Sequence, residues 1–315
     1  MATTTPAGGD EGRTPPGFEA YAAESLAQSP AGAVGKGGEL DLRFSRGSDG
    51  QSRLVYDRAT VPFHLTGGLA HDEALPEIAS AYVQDPTGGI AQGDRYEASI
   101  EVEADARAHV STGSATKVLR MERNYGSSHL SIRVDDGGYL EYLPDPTILH
   151  RDARFWQSIE IDLGRDSAVL LADVVVPGRL ARDEAFAFDR LHASVEARSS
   201  EGELFADALA LDGGDHLRGP GLFGEFRVLG TFYVVAPDHD DVETLADDLH
   251  ACVQDDDGAE EPPAVGGASV LPRESGVAVR VLGDRSSDVT DRFARVWDRA
   301  RRELVGAGAP DTRKF

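Results

Sequence analysis

The sequence predicts a mainly β protein of layered sheets with two helices near the C-terminus. Roughly a dozen short segments alternate apolar and polar residues, and turn-forming residues fall about every eight to twelve positions. Helical spacing appears only after residue 240, and strands do not alternate with long helices, which argues against a nucleotide-binding α/β fold. The pattern leaves a sandwich, a barrel and a strand solenoid open. No strict sequence repeat is visible.

Residues 1–17 are Thr, Pro, Gly and acidic residues and read as a disordered tail ahead of a single domain, 18–315. Phe18–Ser29 reads as a short helix or irregular arm. Leu40–Phe44 and Ser52–Tyr56 read as a hairpin across Arg46–Gln51, after which Pro62 and Gly67-Gly68 interrupt. Ile78–Val83, Tyr96–Glu103, Val118–Met121, His129–Val134 and Tyr139–Leu143 follow as strands, then Phe155–Leu163 with Phe155, Gln157, Ile159, Ile161 and Leu163 on one side. Val169–Val176 is almost continuously apolar, as in a strand covered on both faces. Phe186–Ala197, Leu204–Leu211 and Phe226–Val235 complete this run. Asp240 and Glu243 frame a capping box for a helix carrying Val242, Leu245, Leu249 and Val253. Residues 255–267 read as a flexible acidic, Pro- and Gly-rich loop. Ser269–Leu271 and Val277–Leu282 are the last strands. Ser286 or Ser287 caps a terminal helix, 286–305, with Val289, Phe293, Val296, Trp297, Ala300 and Leu304 on one face and Arg299, Arg301 and Arg302 late in it.

Composition narrows the function classes. The 315 residues include 55 acidic side chains against 31 Lys and Arg, a net charge of −24, and the only lysines are Lys36, Lys117 and Lys314. Such a surface suits a salt-rich cytoplasm, where screening makes self-repulsion tolerable, so a halophilic source is expected. No basic stretch is fit to neutralise a nucleic-acid backbone. A single cysteine, Cys252, makes no intrachain disulfide or thiolate cluster. No signal peptide is expected, and no run approaches the ~20 apolar residues of a membrane helix. The protein is expected in the cytoplasm.

Two loops within residues 81–121 stand out. Pro86–Asp94 holds Gly88, Gly89 and Gly93 and ends on Asp94; Thr112–Lys117 holds Thr112, Ser114, Thr116 and Lys117. The glycines shape a backbone that other residues resist. Ser114-Ala-Thr-Lys117 matches the S-x-x-K of acyl enzymes, but the companion S-D-N and K-T-G motifs are missing and a strand follows where a helix should open. Gly32–Lys36 lacks the first Gly and the Ser or Thr of a phosphate-binding loop. The nine histidines show no metal-site spacing. Asp94, Glu141, Asp145 and Asp189 stand apart as carboxylates at turns or beside apolar strand residues. No catalytic residue and no tightly bound cofactor are expected.

Several of these segments, in order, resemble the urease accessory protein family UreD, also called UreH. Pro86-Thr-Gly-Gly-Ile-Ala-Gln-Gly-Asp94 resembles its P-x-G-G-x-x-x-G-D loop, and Thr112-Gly-Ser-Ala-Thr-Lys117 its T-x-x-A-T-K segment. Tyr139–Leu149 resembles its L-E-W-L-P-x-x-T-I-L stretch, with Asp145-Pro146 in place of a common Gln-Glu pair and His150 where an aromatic is frequent. Phe188-Asp-Arg190 falls where the family usually has F-x-x-G-R, Leu229-Gly-Thr231 resembles its F-G-T strand, and the terminal helix with Trp297 resembles its last helix. The resemblance implies strands stacked as a solenoid, no enzymatic activity, and docking on apo-urease. With UreF and the GTPase UreG the family serves nickel delivery through an internal polar tunnel. On that reading Asp94, Glu141 and Asp189 line or shape a transient nickel path, and Gly88, Gly89, Gly93, Thr112, Ser114, Thr116 and Lys117 shape its wall. Lys117 is expected to hold a carboxylate, with Asp94 as the candidate. The alternative of a different class is a non-catalytic binding module for a carbohydrate or other polar ligand.

Overall fold

The computed structural model describes residues 14–26, 35, 37–69, 72–254 and 263–310. Residues 1–13 of the expected tail, 255–262 of the expected loop, and Lys36 and Lys314 lie outside them. In chain order the elements are α1 (Glu19–Ala22), β1 (Gly37–Arg46), β2 (Ser52–Ala59), β3 (His64–Leu69), β4 (Ala79–Gln84), β5 (Arg95–Val102), β6 (Arg107–Thr112), β7 (Thr116–Val118), β8 (Gly126–Val134) and β9 (Tyr139–Leu143). Then come β10 (Thr147–Leu149), β11 (Arg154–Leu163), β12 (Ala168–Val176), β13 (Arg190–Ser199), β14 (Gly202–Asp212), β15 (Val228–Val235), α2 (Val242–Gln254), β16 (Ala264–Val270), β17 (Gly276–Gly283) and α3 (Ser286–Val305).

The period-two alternation sorts side chains between two sheets. The first has seven strands, β14-β13-β11-β8-β5-β1-β2; β1, β5, β8, β11 and β13 run parallel, and β2 and β14 close the two ends antiparallel. The second has ten, along β16-β17-β15-β12-β9-β6-β4-β3, with a parallel centre of β4, β6, β9 and β12. Parallel strands of the two sheets alternate along the chain, so each turn of the chain visits both. A short third side joins them: Ile90 bridges Val118, β7 pairs β10, and β10 pairs the end of β12. This is the solenoid arrangement, with successive turns in register: Ala79 faces Ala108, Arg107 faces Tyr139, Val118 faces Leu149.

Three cores follow. Leu42, Phe44, Ile100, Ile132, Val169 and Leu171 fill the space between the sheets. The outer face of the second sheet is covered by α2 and α3 through Leu170, Phe232, Leu249, Phe293 and Trp297. Ile90, Val118, Leu149, Phe155 and Phe186 pack the third corner. Full burial of such side chains stabilises by about 1.5–3 kcal/mol each.

The hairpin, the doubly covered β12 and both late helices match the sequence reading, and several boundaries differ. β3 runs through Gly67-Gly68, because its pairing with β4 supplies the order that the glycines lack. β6 and β10 were not expected; each is held by parallel neighbours rather than by its own propensity. Val118–Met121 is a strand only at Val118, as the end of β7. Phe186–Phe188 is a turn, with Phe186 at φ +62, and its two aromatic rings are buried in the third core. β16 begins inside the expected 255–267 loop, where Gly266 packs so closely on β17 that a Cβ would lie 2.9 Å from Val281. Asp241, not Asp240, caps α2, accepting the Thr244 N–H at 3.0 Å. Neither serine caps α3; the Asp288 carboxylate accepts the Arg285 N–H at 2.9 Å.

Candidate functional site

The stacked turns do not close on a fully apolar axis. A cavity of about 150 Å³ lies inside the solenoid, bounded by both sheets and the third side. Gly88, Gly89, Thr112, Ser114, Thr116 and Lys117 border it. Both unusual loops therefore form one wall, because parallel stacking lays residues 84–90, 112–117 and 144–147 over one another. The wall is tied by Thr112, whose hydroxyl accepts the Asp145 N–H at 2.7 Å, and by the Thr116 N–H donating to Pro146 O at 3.0 Å. Gly89 adopts φ +128, and a Cβ there would lie 2.3 Å from Lys117 O; only glycine permits this approach.

The opposite wall is polar within an apolar frame. Asp173, on β12 between the inward residues Leu171 and Val175, accepts from the Gln157 amide of β11 at 3.2 Å. Burial pushes the Asp173 carboxyl up to about 6, opposed by the Gln157 hydrogen bond. Tyr142 of β9 borders the same space, its phenol pushed up to about 12 by burial and then by Asp173. Asp85 and Asp145 add carboxylates at the loop wall. The donors around the cavity are thus oxygens of carboxylate, amide, phenol and hydroxyl groups.

The three expected carboxylates do not converge. Asp94 is buried in its turn, accepting the Ala91 N–H at 2.8 Å. It lies one phenol away from the cavity: the Tyr96 hydroxyl is 3.3 Å from Asp85 Oδ2 and 3.5 Å from Asp94 Oδ2. Burial, then Asp85 and Asp94, raises the Tyr96 phenol far above its ordinary range. Glu141 faces the other way, under α3, where it meets His109 Nδ1 at 2.8 Å, the Tyr139 hydroxyl at 2.9 Å and Arg301 Nε at 3.2 Å. Arg301 also pairs with Asp72, and Trp297 stacks on His109 with ring centres 5.6 Å apart. Asp189 lies where β13 begins, bonded to Arg154 Nε at 2.7 Å and to the Tyr21 hydroxyl of the N-terminal arm at 3.1 Å. Gly93 supports that arm's end, a Cβ there being 2.5 Å from Leu26. Lys117 is exposed and has no ion pair among the described residues, so its expected pairing with Asp94 is absent.

Sequence reasoning missed Asp173 and Gln157. The signal for Asp173 was a lone carboxylate interrupting the apolar run Val169–Val176, and for Gln157 an amide on the inward side of Phe155–Leu163. Among the described residues no three His, Cys, Asp or Glu side chains form a metal-holding group, and no helix is long and apolar enough to cross a membrane.

The sequence profile described as "UreD urease accessory protein" matches residues 36–314. The urease accessory protein UreD of Haloarcula marismortui is 49% identical over 301 residues, covering 95% of this chain and 98% of its own length. That of Natronomonas pharaonis is 43% identical over 302 residues, covering 96% and 99%. A Yersinia pseudotuberculosis UreD is 33% identical over 290 residues, covering 90% and 88%. Together with the solenoid and its glycine-shaped wall, these matches establish that the chain belongs to the UreD family of urease accessory proteins.

Proposed function

We propose that the chain is a non-catalytic scaffold and metallochaperone component that works in the cytoplasm with UreF and the GTPase UreG to insert nickel into apo-urease. The ion is cargo and crosses the interior cavity. The observation that carries this reading is the oxygen lining centred on Asp173, Gln157 and Tyr142 inside a family member's solenoid. A carrier must release what it binds, and sparse oxygen donors hold nickel less firmly than converging imidazoles or thiolates. Asp173 draws a divalent cation inward, and the bonded Asp85–Tyr96–Asp94 group guides it at the loop wall. Glu141 and Asp189, each held by an arginine, shape the path by fixing α3 and the arm.

The test is co-production with UreF, UreG and the urease subunits. Asp173→Ala is expected to lower urease nickel content and activity several-fold while UreF and urease still copurify. Unchanged nickel content in that variant sinks the path. Failure of the wild-type chain to capture UreF or urease sinks the function as a whole and returns a polar-ligand binding module to the front.

A further inference from the structure

The third side of the solenoid concentrates positive charge on a chain whose net charge is −24. Val118 pairs with Leu149, and Ile148 with Val176. Counting on from the first pair, Arg120 and Arg151 fall beside each other on two successive turns, and Arg179 lies in the loop that leaves the end of β12, where the Phe186 N–H closes back on Pro177 O. The stack persists past the strands, with the His150 N–H donating to Val118 O at 2.9 Å and the Met121 N–H to Asp152 O at 3.2 Å. Lys117 lies beside this row, paired in register with Ile148, and Arg182 follows Arg179. Arg120 meets Asp152 at 3.0 Å, and Arg179 makes two 2.6 Å bonds to Glu184. Lys117, Arg151 and Arg182 are exposed and make no ion pair among the described residues; Glu122 and Asp183 are the exposed carboxylates that remain beside them. Around His150, in this face, burial lowers the pKa first, then Arg179, with Glu184 opposing and Lys117 and Arg182 adding.

We propose that this ladder is a docking surface for an acidic segment of a partner protein. A partner rich in carboxylates is repelled by most of this molecule and attracted at this face, so the charge pattern sets both where and how it lands. Arginine supports such docking because its planar fork binds carboxylates through two hydrogen bonds, contacts that persist where long-range attraction is screened. The face borders the cavity wall at Lys117, yet the inference stands whether or not nickel crosses the interior.

The experiment measures binding of a fluorescent oligoglutamate peptide to the full chain, at the lowest salt that preserves its native circular dichroism. The variant Lys117→Gln/Arg151→Gln/Arg182→Gln removes only unpaired cations, so the paired framework stays. A control, Arg53→Gln/Arg58→Gln/Arg165→Gln, removes equally many exposed cations elsewhere. Affinity is expected to fall about tenfold or more in the ladder variant and less than about twofold in the control. The proposal is overturned if the wild-type chain shows no saturable binding, if both variants weaken alike, or if oligothymidylate of matched charge binds more tightly than oligoglutamate.

Discussion

Arg301 of α3 and Glu141 of β9 meet where neither is exposed: Nε is 3.2 Å from Oε1, and the side chains are 0% and 1% accessible. The same guanidinium pairs with Asp72, so one buried cation balances two carboxylates beneath the last helix. Replacing Arg301 by Met leaves both carboxylates buried without their cation. Urea unfolding should show a loss of about 3–5 kcal/mol. The triple variant Asp72→Asn/Glu141→Gln/Arg301→Met should recover most of that loss. A single Arg301→Met as stable as wild type would mean that α3 is held by apolar contact alone.

Asp173 gives the interior a pH dependence of predictable sign. Its carboxyl is raised to about 6 in the folded state, above the ~3.9 of an unfolded aspartate. The native state therefore binds more protons between those values. Stability should fall as pH rises from about 4 to about 6, by roughly 1–3 kcal/mol from this group. Asp173→Asn should flatten that segment of the stability–pH curve and be the more stable form at neutral pH. An unchanged slope in the variant would place the titration elsewhere.

The two adjacent glycines of the first loop separate backbone conformation from crowding. Gly88 has φ +96 with open space where a Cβ would go; Gly89 has φ +128 with Lys117 O at 2.3 Å. Gly88→Ala should cost about 1 kcal/mol and Gly89→Ala clearly more, about 2–4 kcal/mol. Equal midpoints of thermal unfolding for the two variants would show that the loops yield rather than hold the wall.

The N-terminal arm is fastened by a buried ring. Phe18 is wholly buried against Tyr125, ring centres 5.1 Å apart, while Glu24 accepts from Arg154 at 2.9 Å and from the Asn124 N–H at 2.8 Å. Phe18→Ala should release residues 14–26 without unfolding the solenoid. Limited proteolysis should then cut in the arm, and amide exchange should speed up at Asn124 while the amides of β12 stay protected. Loss of protection across both would make the arm part of the global fold.

The sequence made the alternating strands legible where the chain itself carries the pattern, as at Phe155–Leu163 and Leu204–Leu211. It hid those ordered by their neighbours. Arg107–Thr112 has only Ala108 and Val110 as apolar inward residues, and Thr112, inward as well, interrupts their alternation. The stacked turns leave no sequence repeat because equivalent inward positions take different residues, Val110 beside Tyr142, for example. Six of the seven residues Gly88, Gly89, Gly93, Thr112, Ser114, Thr116 and Lys117 border the cavity, Gly93 being the exception. Asp173 was not legible in the sequence, because a composition so rich in acid hides one aspartate among many. Asp94, Glu141 and Asp189 stand at turns or beside apolar strand residues, and such carboxylates more often satisfy backbone or arginine than line open space, as these do.

The two antiparallel strands that end the first sheet, β2 and β14, do more than cover exposed edges. Each reverses the chain direction and terminates the winding, so the number of parallel turns between them is fixed. Neighbouring strands stand about 4.8 Å apart, so the five parallel strands from β1 to β13 span about 19 Å. The molecule is in this respect a ruler. Whatever binds its two ends is held at a separation set by counting strands, and adding or deleting one full winding would change that separation in a single step of about 4.8 Å.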